Sequence, residues 1–105
     1  MKVAITEAAF ADLRRVGRTI ALDNPVRVES CVAELYERCL RLGDAPRAFP
    51  LLPRREHRGI RRRPFRDYLT FCRVSGDAVE ILHVLHGARD NEPILFPDSQ
   101  IGRNL

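Results

Sequence analysis

The stretch that decides the fold reads AVEILHVLHGARD and runs from Ala78 to Asp90. Most of it is apolar and β-branched, the turn sequence Ser75-Gly76-Asp77 comes before it, and Gly87 closes it. A short run that is apolar on both faces predicts a central strand covered on each side. A buried helix is the alternative, but the run is short for a helix and the preceding turn favours a β-hairpin.

The end of this predicted strand is polar and delivers His86 and Arg89. A strand provides rigidity and its end provides exposure, so this is a candidate functional site. In an unbroken strand His83 and His86 point to opposite faces and cannot share one metal ion. The sequence also has no Cys/His cluster with metal-ligand spacing. We expect no metal site and no cofactor.

Length and composition bound the class of protein. A chain of 105 residues with 45% hydrophobic residues predicts a single globular domain, residues 1–105. No apolar run approaches the roughly 20 residues that span a bilayer, and the N-terminus lacks the form of a signal peptide. We therefore expect a cytoplasmic protein without membrane contact. Its cysteines, Cys31, Cys39 and Cys72, are expected to be reduced thiols.

The positive charge is concentrated in one segment. The formal net charge is +4, yet residues 54–66 contain seven arginines against Glu56 and carry +6, so the other 92 residues carry 4 − 6 = −2. Arginine favours forked contacts with phosphate or carboxylate groups. The segment predicts a patch for nucleic acid or for an acidic partner chain. The alternative is a solvated strand face.

The N-terminal half predicts a short strand and two helices. Lys2 to Ile5 alternates polar and apolar residues, and Thr6 can cap a helix that ends near Leu22. Asn24 and Pro25 predict the N-cap and first position of a second helix that Gly43 stops. Their apolar stripes predict an antiparallel hairpin that needs a sheet to cover it. The stripes comprise Phe10, Leu13, Val16 or Gly17, and Ile20, then Val28, Cys31, Val32, Leu35, Cys39 and Leu42.

The C-terminal half predicts strands. Gly59 to Arg63 and Tyr68 to Val74 have strand composition, and Pro64 either ends pairing or lies at a sheet edge. Residues 91–105 are expected to form a tail with one apolar patch, Ile94, Leu95 and Phe96. The element order predicts an α+β, two-layer fold with a three-stranded antiparallel meander. The first strand follows a crossover and should lie parallel to another strand.

Several parts of the chain resemble a known family. Residues 81–90, ILHVLHGARD, resemble the C-terminal signature of the ParE toxins in the RelE/ParE superfamily of type II toxin–antitoxin systems. Residues 60–65, IRRRPF, and 68–74, YLTFCRV, resemble the two preceding strands of that family, and the helical hairpin with Asn24-Pro25 at its turn also fits. The resemblance runs from Lys2 to about Asp90 and implies a RelE-like fold.

The resemblance also implies partners. A ParD-like antitoxin with an acidic, amphipathic C-terminal segment would wrap the toxin along the hairpin and sheet edge, giving a hetero-oligomer. ParE-like members act on DNA gyrase, whereas RelE-like members cut mRNA at the ribosome. We expect the target to be contacted by His83, His86, Arg89, Ile94, Leu95 and Phe96. We expect the antitoxin to be contacted by Phe10, Leu13, Arg14, Arg61, Arg63 and Arg73.

RNA cleavage is the competing activity, because general acid–base groups and arginines can support it. The candidates near the strands are Arg61, Arg73, His86 and Arg89. RelE-like nucleases resemble this chain less well, since Leu69 stands where they usually have arginine and residues 91–96 contain no tyrosine. The ParE pattern has departures too: His83 stands where arginine is commoner and Cys72 where tyrosine is commoner. We therefore expect a binding toxin with no catalytic residues.

Overall fold

The computed structural model describes residues 1–97 and has an α+β architecture. It confirms the predicted order of a strand, a helical hairpin and three further strands. Within residues 1–97, no helix has the length and apolar composition needed to cross a membrane. The elements are β1 (Lys2–Ile5), α1 (Glu7–Asp23), α2 (Val28–Arg41), β2 (Ile60–Phe65), β3 (Tyr68–Ser75), β4 (Ala78–His86) and α3 (Glu92–Leu95).

One four-stranded sheet organises the chain, in the order β1-β4-β3-β2. β4 is central as predicted, pairing in parallel with β1 and antiparallel with β3. β2 lies at the edge and continues through Pro64, which pairs with Leu69. An edge position tolerates proline because its missing N–H can face away from the sheet. Of the two alternatives for Pro64, the edge position is therefore the correct one.

Apolar clusters cover both faces of the sheet. The larger cluster packs the helical hairpin on one face and includes Val84. The smaller cluster includes Leu85, the next residue of β4, and so lies on the opposite face. The members of the smaller cluster are Leu52, Ile60, Phe71, Leu85 and Phe96. The expected burial of β4 on both sides is therefore confirmed.

The segment after β4 is not a tail over its first six residues. Residues 92–95 form α3, and Phe96 is 2% exposed in the smaller cluster. The prediction of a tail from Asn91 onward is wrong here, because the sheet face opposite the hairpin would otherwise expose apolar side chains to water. Residues 98–105 of the predicted tail lie outside the described residues.

β4 contains one more residue than β3 near its middle. Cys72 pairs with Ile81, whereas Phe71 pairs with His83. An extra residue of this kind resets the alternation of side chains along a strand. As a result Ile81 and Val84, three positions apart, pack in the same apolar cluster.

The irregularity lies between Ile81 and His83, and residues 83–86 pair in unbroken register with residues 71–68. The argument that His83 and His86 alternate across the strand is therefore unaffected. Both histidines nevertheless approach α1, since His83 contacts Asp12 and His86 lines a cavity together with Thr19. Within the described part of the chain, no three His, Cys, Asp or Glu side chains are placed to hold one metal ion.

The helix ends follow local chemistry, with one correction. Thr6 caps α1 as predicted, its Oγ1 accepting from the Ala9 N–H at 3.2 Å. Asn24 makes no side-chain cap, and residues 25–27 form a 3₁₀ turn before α2. Gly43 follows the end of α2, where a Cβ would lie 2.4 Å from the Met1 carbonyl oxygen. Close approach of β1 therefore requires glycine at this position.

Candidate functional site

The exit of β4 is a rigid polar corner. The Gly87 N–H donates to the Asp67 carbonyl at 2.7 Å, which ties the strand end to the β2–β3 turn. The Ala88 N–H donates to Nδ1 of His86 at 3.1 Å. A neutral His86 ring therefore carries its proton on Nε2, which points away from this contact. Arg89 and His86 are both exposed, as the sequence predicted.

His83 belongs to a buried hydrogen-bond network instead of an open surface. Asp12 of α1 is 3% exposed and accepts from Nδ1 of His83 at 2.8 Å and from the Val84 N–H at 3.0 Å. Arg15 Nη1 adds a third bond at 2.9 Å. Burial would raise the pKa of Asp12, but these hydrogen bonds outweigh it and hold the pKa below its usual value. Asp12 is thus the ionised acceptor that fixes α1 to the irregular part of β4.

The residues after the corner lie against the sheet. Ile94 and Leu95 are half-buried, whereas Phe96 is buried and is not available to contact a target directly. Two guanidinium groups, those of Arg55 and Arg58, lie over the Phe96 ring at 4.4 and 4.9 Å from its centroid. Such cation–π contacts favour a covered aromatic ring. Phe96 therefore supports the surface around it.

An apolar groove runs between α1 and α2 on the side away from the sheet, with a volume of about 610 Å³. Phe10 and Tyr36 are 41% and 40% exposed, and their ring centroids are 6.5 Å apart. Exposed Arg14 lies on its rim, but Leu13 is largely buried and contributes only to the floor. We call this surface the hairpin groove.

Sequence reasoning placed Phe10, Val28 and Val32 on the sheet-facing stripes and did not name Tyr36. The far wall of the groove comes from α2, where Val28, Val32 and Tyr36 recur at intervals of four residues. Tyr36 continues the row of Val28 and Val32 at a spacing of four residues, and this spacing was the sequence signal that could have predicted the wall. Gly17 lies between the two helices, but a Cβ there would lie 3.4 Å from a methyl carbon of Val32, which is an ordinary contact, so the approach of the helices does not require glycine.

The three predicted strand arginines have different surroundings. Arg61 donates to the Phe49 carbonyl at 2.8 Å, and Arg73 pairs with Glu80 across the sheet at 3.2 Å. Arg63 lies over the rings of Phe49 and Phe65, 5.1 and 5.9 Å from their centroids. Arg61 and Arg73 therefore have structural contacts, while Arg63 joins a larger basic cluster.

That basic cluster surrounds the Phe65 ring. Arg38 and Arg66 lie over it at 4.8 and 5.5 Å, beside Arg63. Burial, and then the nearby charge of Arg38, lower the pKa of Arg63. Glu34 pairs with Arg66 at 3.3 Å. Arg38 belongs to α2 and was missed by sequence reasoning, because α2 and β2 meet only in the folded chain.

Tyr68 and His86 meet at the strand ends. Their rings pack edge-to-face with centroids 5.4 Å apart, as the pairing of β3 with β4 requires. Burial, and then the charge of Asp67, raise the pKa of Tyr68, so its hydroxyl stays protonated at neutral pH. Arg89 lines the same small cavity of about 120 Å³. A phenol, an imidazole and a guanidinium thus share one site.

Comparison with known proteins supplies the family context. A family model described as "ParE toxin of type II toxin-antitoxin system, parDE" matches residues 3–91. No curated protein sequence matches significantly. The fold is similar to a solved chain titled "Chromosomal ParDE TA system from P. aeruginosa", with a TM-score of 0.69 and 20% identity over 82% of this chain and 95% of that one.

Proposed function

This chain belongs to the ParE toxin family of type II toxin–antitoxin systems, and from that premise we propose that a cognate antitoxin neutralises it and that it inhibits DNA gyrase by binding. It would act in the cytoplasm as the toxic partner of a hetero-oligomer with a ParD-like antitoxin. No chemistry of its own is required for either interaction.

The hairpin groove is the observation that carries the antitoxin proposal. Its walls are apolar, and exposed Phe10 and Tyr36 flank it. A groove between two helices suits the apolar face of an amphipathic helix. The basic cluster around Phe65 supports the acidic character of that partner, because acidic side chains would neutralise it. Within the groove itself the charge of Arg14 is balanced by Glu29, so the positive charge comes from the basic cluster.

Co-expression with the product of the adjacent reading frame tests this binding mode. Phe10→Asp and Tyr36→Asp should abolish both co-purification and growth rescue, since each introduces a charge into an apolar contact. Leu22→Asp is the matched control, because Leu22 is 87% exposed at the end of α1 and does not line the groove. Equal rescue of all three variants would contradict antitoxin binding in the hairpin groove.

The target proposal rests on the β4 corner and the segment after it. His86 and Arg89 are exposed on a tied strand end, and Ile94 and Leu95 are partly accessible beside them. A cationic and apolar surface on a rigid support suits recognition of another macromolecule. Family membership points to gyrase as that macromolecule.

Induced expression should filament cells and trigger DNA-damage signalling, and the purified toxin should inhibit supercoiling by gyrase. Arg89→Ala should lower inhibition at least tenfold if this side chain contacts gyrase directly. Arg41→Ala is the matched control, because Arg41 is an exposed arginine at the end of α2 and does not line the cavity that contains His86 and Arg89. Intact DNA together with cleaved mRNA in expressing cells would reject gyrase as the target.

A ribosome-dependent mRNA endonuclease of the RelE type is the second candidate. The observation in its favour is the cavity that Tyr68, His86 and Arg89 share. A protonated phenol could serve as an acid, an imidazole as a base, and a guanidinium could stabilise phosphorane charge. RelE-like nucleases usually have a tyrosine a few residues after the arginine that Arg89 matches. Tyr68 lies at the start of β3 instead, so it would supply the acid from a different position in the chain.

Translation extracts distinguish the two functions. A nuclease should produce cleaved mRNA on ribosomes, and Tyr68→Phe and His86→Ala should each slow cleavage at least a hundredfold, the usual contribution of one acid–base group. Tyr68→Phe should keep gyrase inhibition if cleavage is a separate activity, because Tyr68 is not among the proposed gyrase contacts. A binding toxin leaves the mRNA intact in the same extract.

A further inference from the structure

A further cavity lies on the sheet face opposite the hairpin, where four chain segments meet. Its volume is about 490 Å³, which is the size of a small-ligand site. Its floor is apolar and includes Leu52 and Leu95. Its walls carry the side chains of Arg54, Arg55, Arg62 and Arg89. We call it the arginine cavity.

The positive charge of this cavity exceeds its negative charge. Two carboxylates also line it, those of Asp90 and Glu92. Glu92 is already engaged, since Nε of Arg55 donates to it at 3.1 Å. Among the described residues, no acidic side chain forms an ion pair with Arg54, Arg62 or Arg89. Three guanidinium groups therefore face one carboxylate, which favours an anionic occupant.

Asn91 has a hydrogen-bond acceptor that is not satisfied. Its Oδ1 is buried and has no partner among the described residues, although Asn91 lines the cavity. A buried amide oxygen without a donor is costly, so a ligand that donates to it after the Asn91 side chain turns into the cavity would be favoured. The occupant should therefore combine an anionic group with a neighbouring N–H or O–H.

We infer that the arginine cavity binds a nucleic-acid strand, with a backbone phosphate held by Arg54, Arg62 and Arg89. The adjoining base or sugar then donates to Oδ1 of Asn91. A nucleotide unit supplies both the anion and the donor, and arginine forks match phosphate oxygens. A carboxylate side chain supplies the anion alone, which makes an acidic peptide the weaker fit.

This inference goes beyond gyrase inhibition and does not depend on it. The binding requires only this chain and a strand, so its failure and the failure of gyrase inhibition are separate results. Arg89 lines both the arginine cavity and the smaller cavity beside Tyr68 and His86. Arg62 and Asn91 line only the first of these two cavities, and they therefore report on strand binding specifically.

Fluorescence anisotropy with the purified full chain tests the inference. The probes are labelled single-stranded DNA and RNA of mixed sequence, about 12 nucleotides long, a length that single-strand sites commonly cover. Arg62→Gln and Arg89→Gln should each weaken binding about tenfold, the loss expected for one charge-assisted contact. Each should also reduce the salt-dependence slope by about 0.7. Arg18→Gln, which removes an equal charge on α1, should change affinity less than twofold.

Asn91→Leu separates a ligand contact from a structural role. Removing an unpaired buried oxygen should leave the melting temperature unchanged or higher, while strand binding weakens. Arg62→Lys and Arg89→Lys serve if a glutamine variant fails to fold, since they keep the charge but lose the forked contact. Thermal melts of every variant accompany the binding curves.

Three results would overturn the inference. Equal weakening by Arg18→Gln and the cavity variants would mean that net charge alone attracts the strand. Binding of poly-glutamate but not of either oligonucleotide would assign the cavity to an acidic chain. Binding of inorganic phosphate without binding of either oligonucleotide would mean that only free phosphate enters the cavity. Binding of DNA or RNA that the arginine-cavity variants weaken and Arg18→Gln does not supports the inference.

Discussion

The Asp12 network should contribute more to stability than any other polar contact described above. Asp12→Ala leaves Nδ1 of His83 and the Val84 N–H without their acceptor, inside a site that water reaches poorly. Leaving a buried donor without its acceptor typically costs about 1–3 kcal/mol, and Asp12 is the acceptor for both of these donors. The Arg15 side chain is half exposed and contributes little, about 0.5 kcal/mol. We therefore expect a loss of about 4 kcal/mol.

Urea denaturation of the purified chain measures this loss. Typical domains are stable by only about 5–15 kcal/mol, so Asp12→Ala should unfold at far lower denaturant concentration. Arg15→Ala is the matched control and should cost less than about 1 kcal/mol. A double-mutant cycle between Asp12 and His83 should give a coupling of about 1.5–3 kcal/mol. Equal effects of Asp12→Ala and Arg15→Ala would refute the network.

The pH dependence of the same measurement has a defined sign. The pKa of Asp12 is lowered in the folded state from a reference value of 3.8. Its carboxylate therefore stabilises the fold fully above about pH 4, and this contribution disappears as pH falls through the lower, folded-state pKa. The stability difference between the wild type and Asp12→Ala should shrink as the pH falls below about 4. A difference that grew as pH fell would have the wrong sign.

Three further outcomes follow from packing. Phe96→Ala should cost about 3–5 kcal/mol in urea unfolding, because the ring is buried in the smaller cluster, and a loss under 1 kcal/mol would mean a dispensable tail. Gly43→Ala should cost about 1–3 kcal/mol because its Cβ would clash with backbone at Met1, whereas Gly17→Ala should stay within about 1 kcal/mol. Iodoacetamide should label half-buried Cys31 first, because burial raises the pKa of Cys39 to about 11 and also raises the pKa of Cys72. Mass spectrometry that found Cys39 labelled early would contradict this.

Periodicity in the sequence was sufficient for the order of the elements and the central place of β4. An apolar run of strand length has few alternatives when a turn precedes it, and two helical stripes need one sheet. The polar corner at His86 and Arg89 was visible for the same reason, since a strand end that turns polar must leave the core. The helix cap at Thr6 was predictable because its hydrogen bond joins residues only three positions apart in the sequence.

Contacts between distant segments were decided only by the tertiary structure. The extra residue in β4 depends on its register with β3, and the contact between His83 and Asp12 joins residues that are 71 positions apart along the chain. The arginine cavity joins residues 52–55, 62 and 89–95, and no window of sequence contains all of them. Residues 91–96 fold onto the sheet because an apolar face needs cover, which a neighbour-by-neighbour pattern does not show. Local periodicity thus determined the elements, while burial of the shared apolar surface determined which side chains meet.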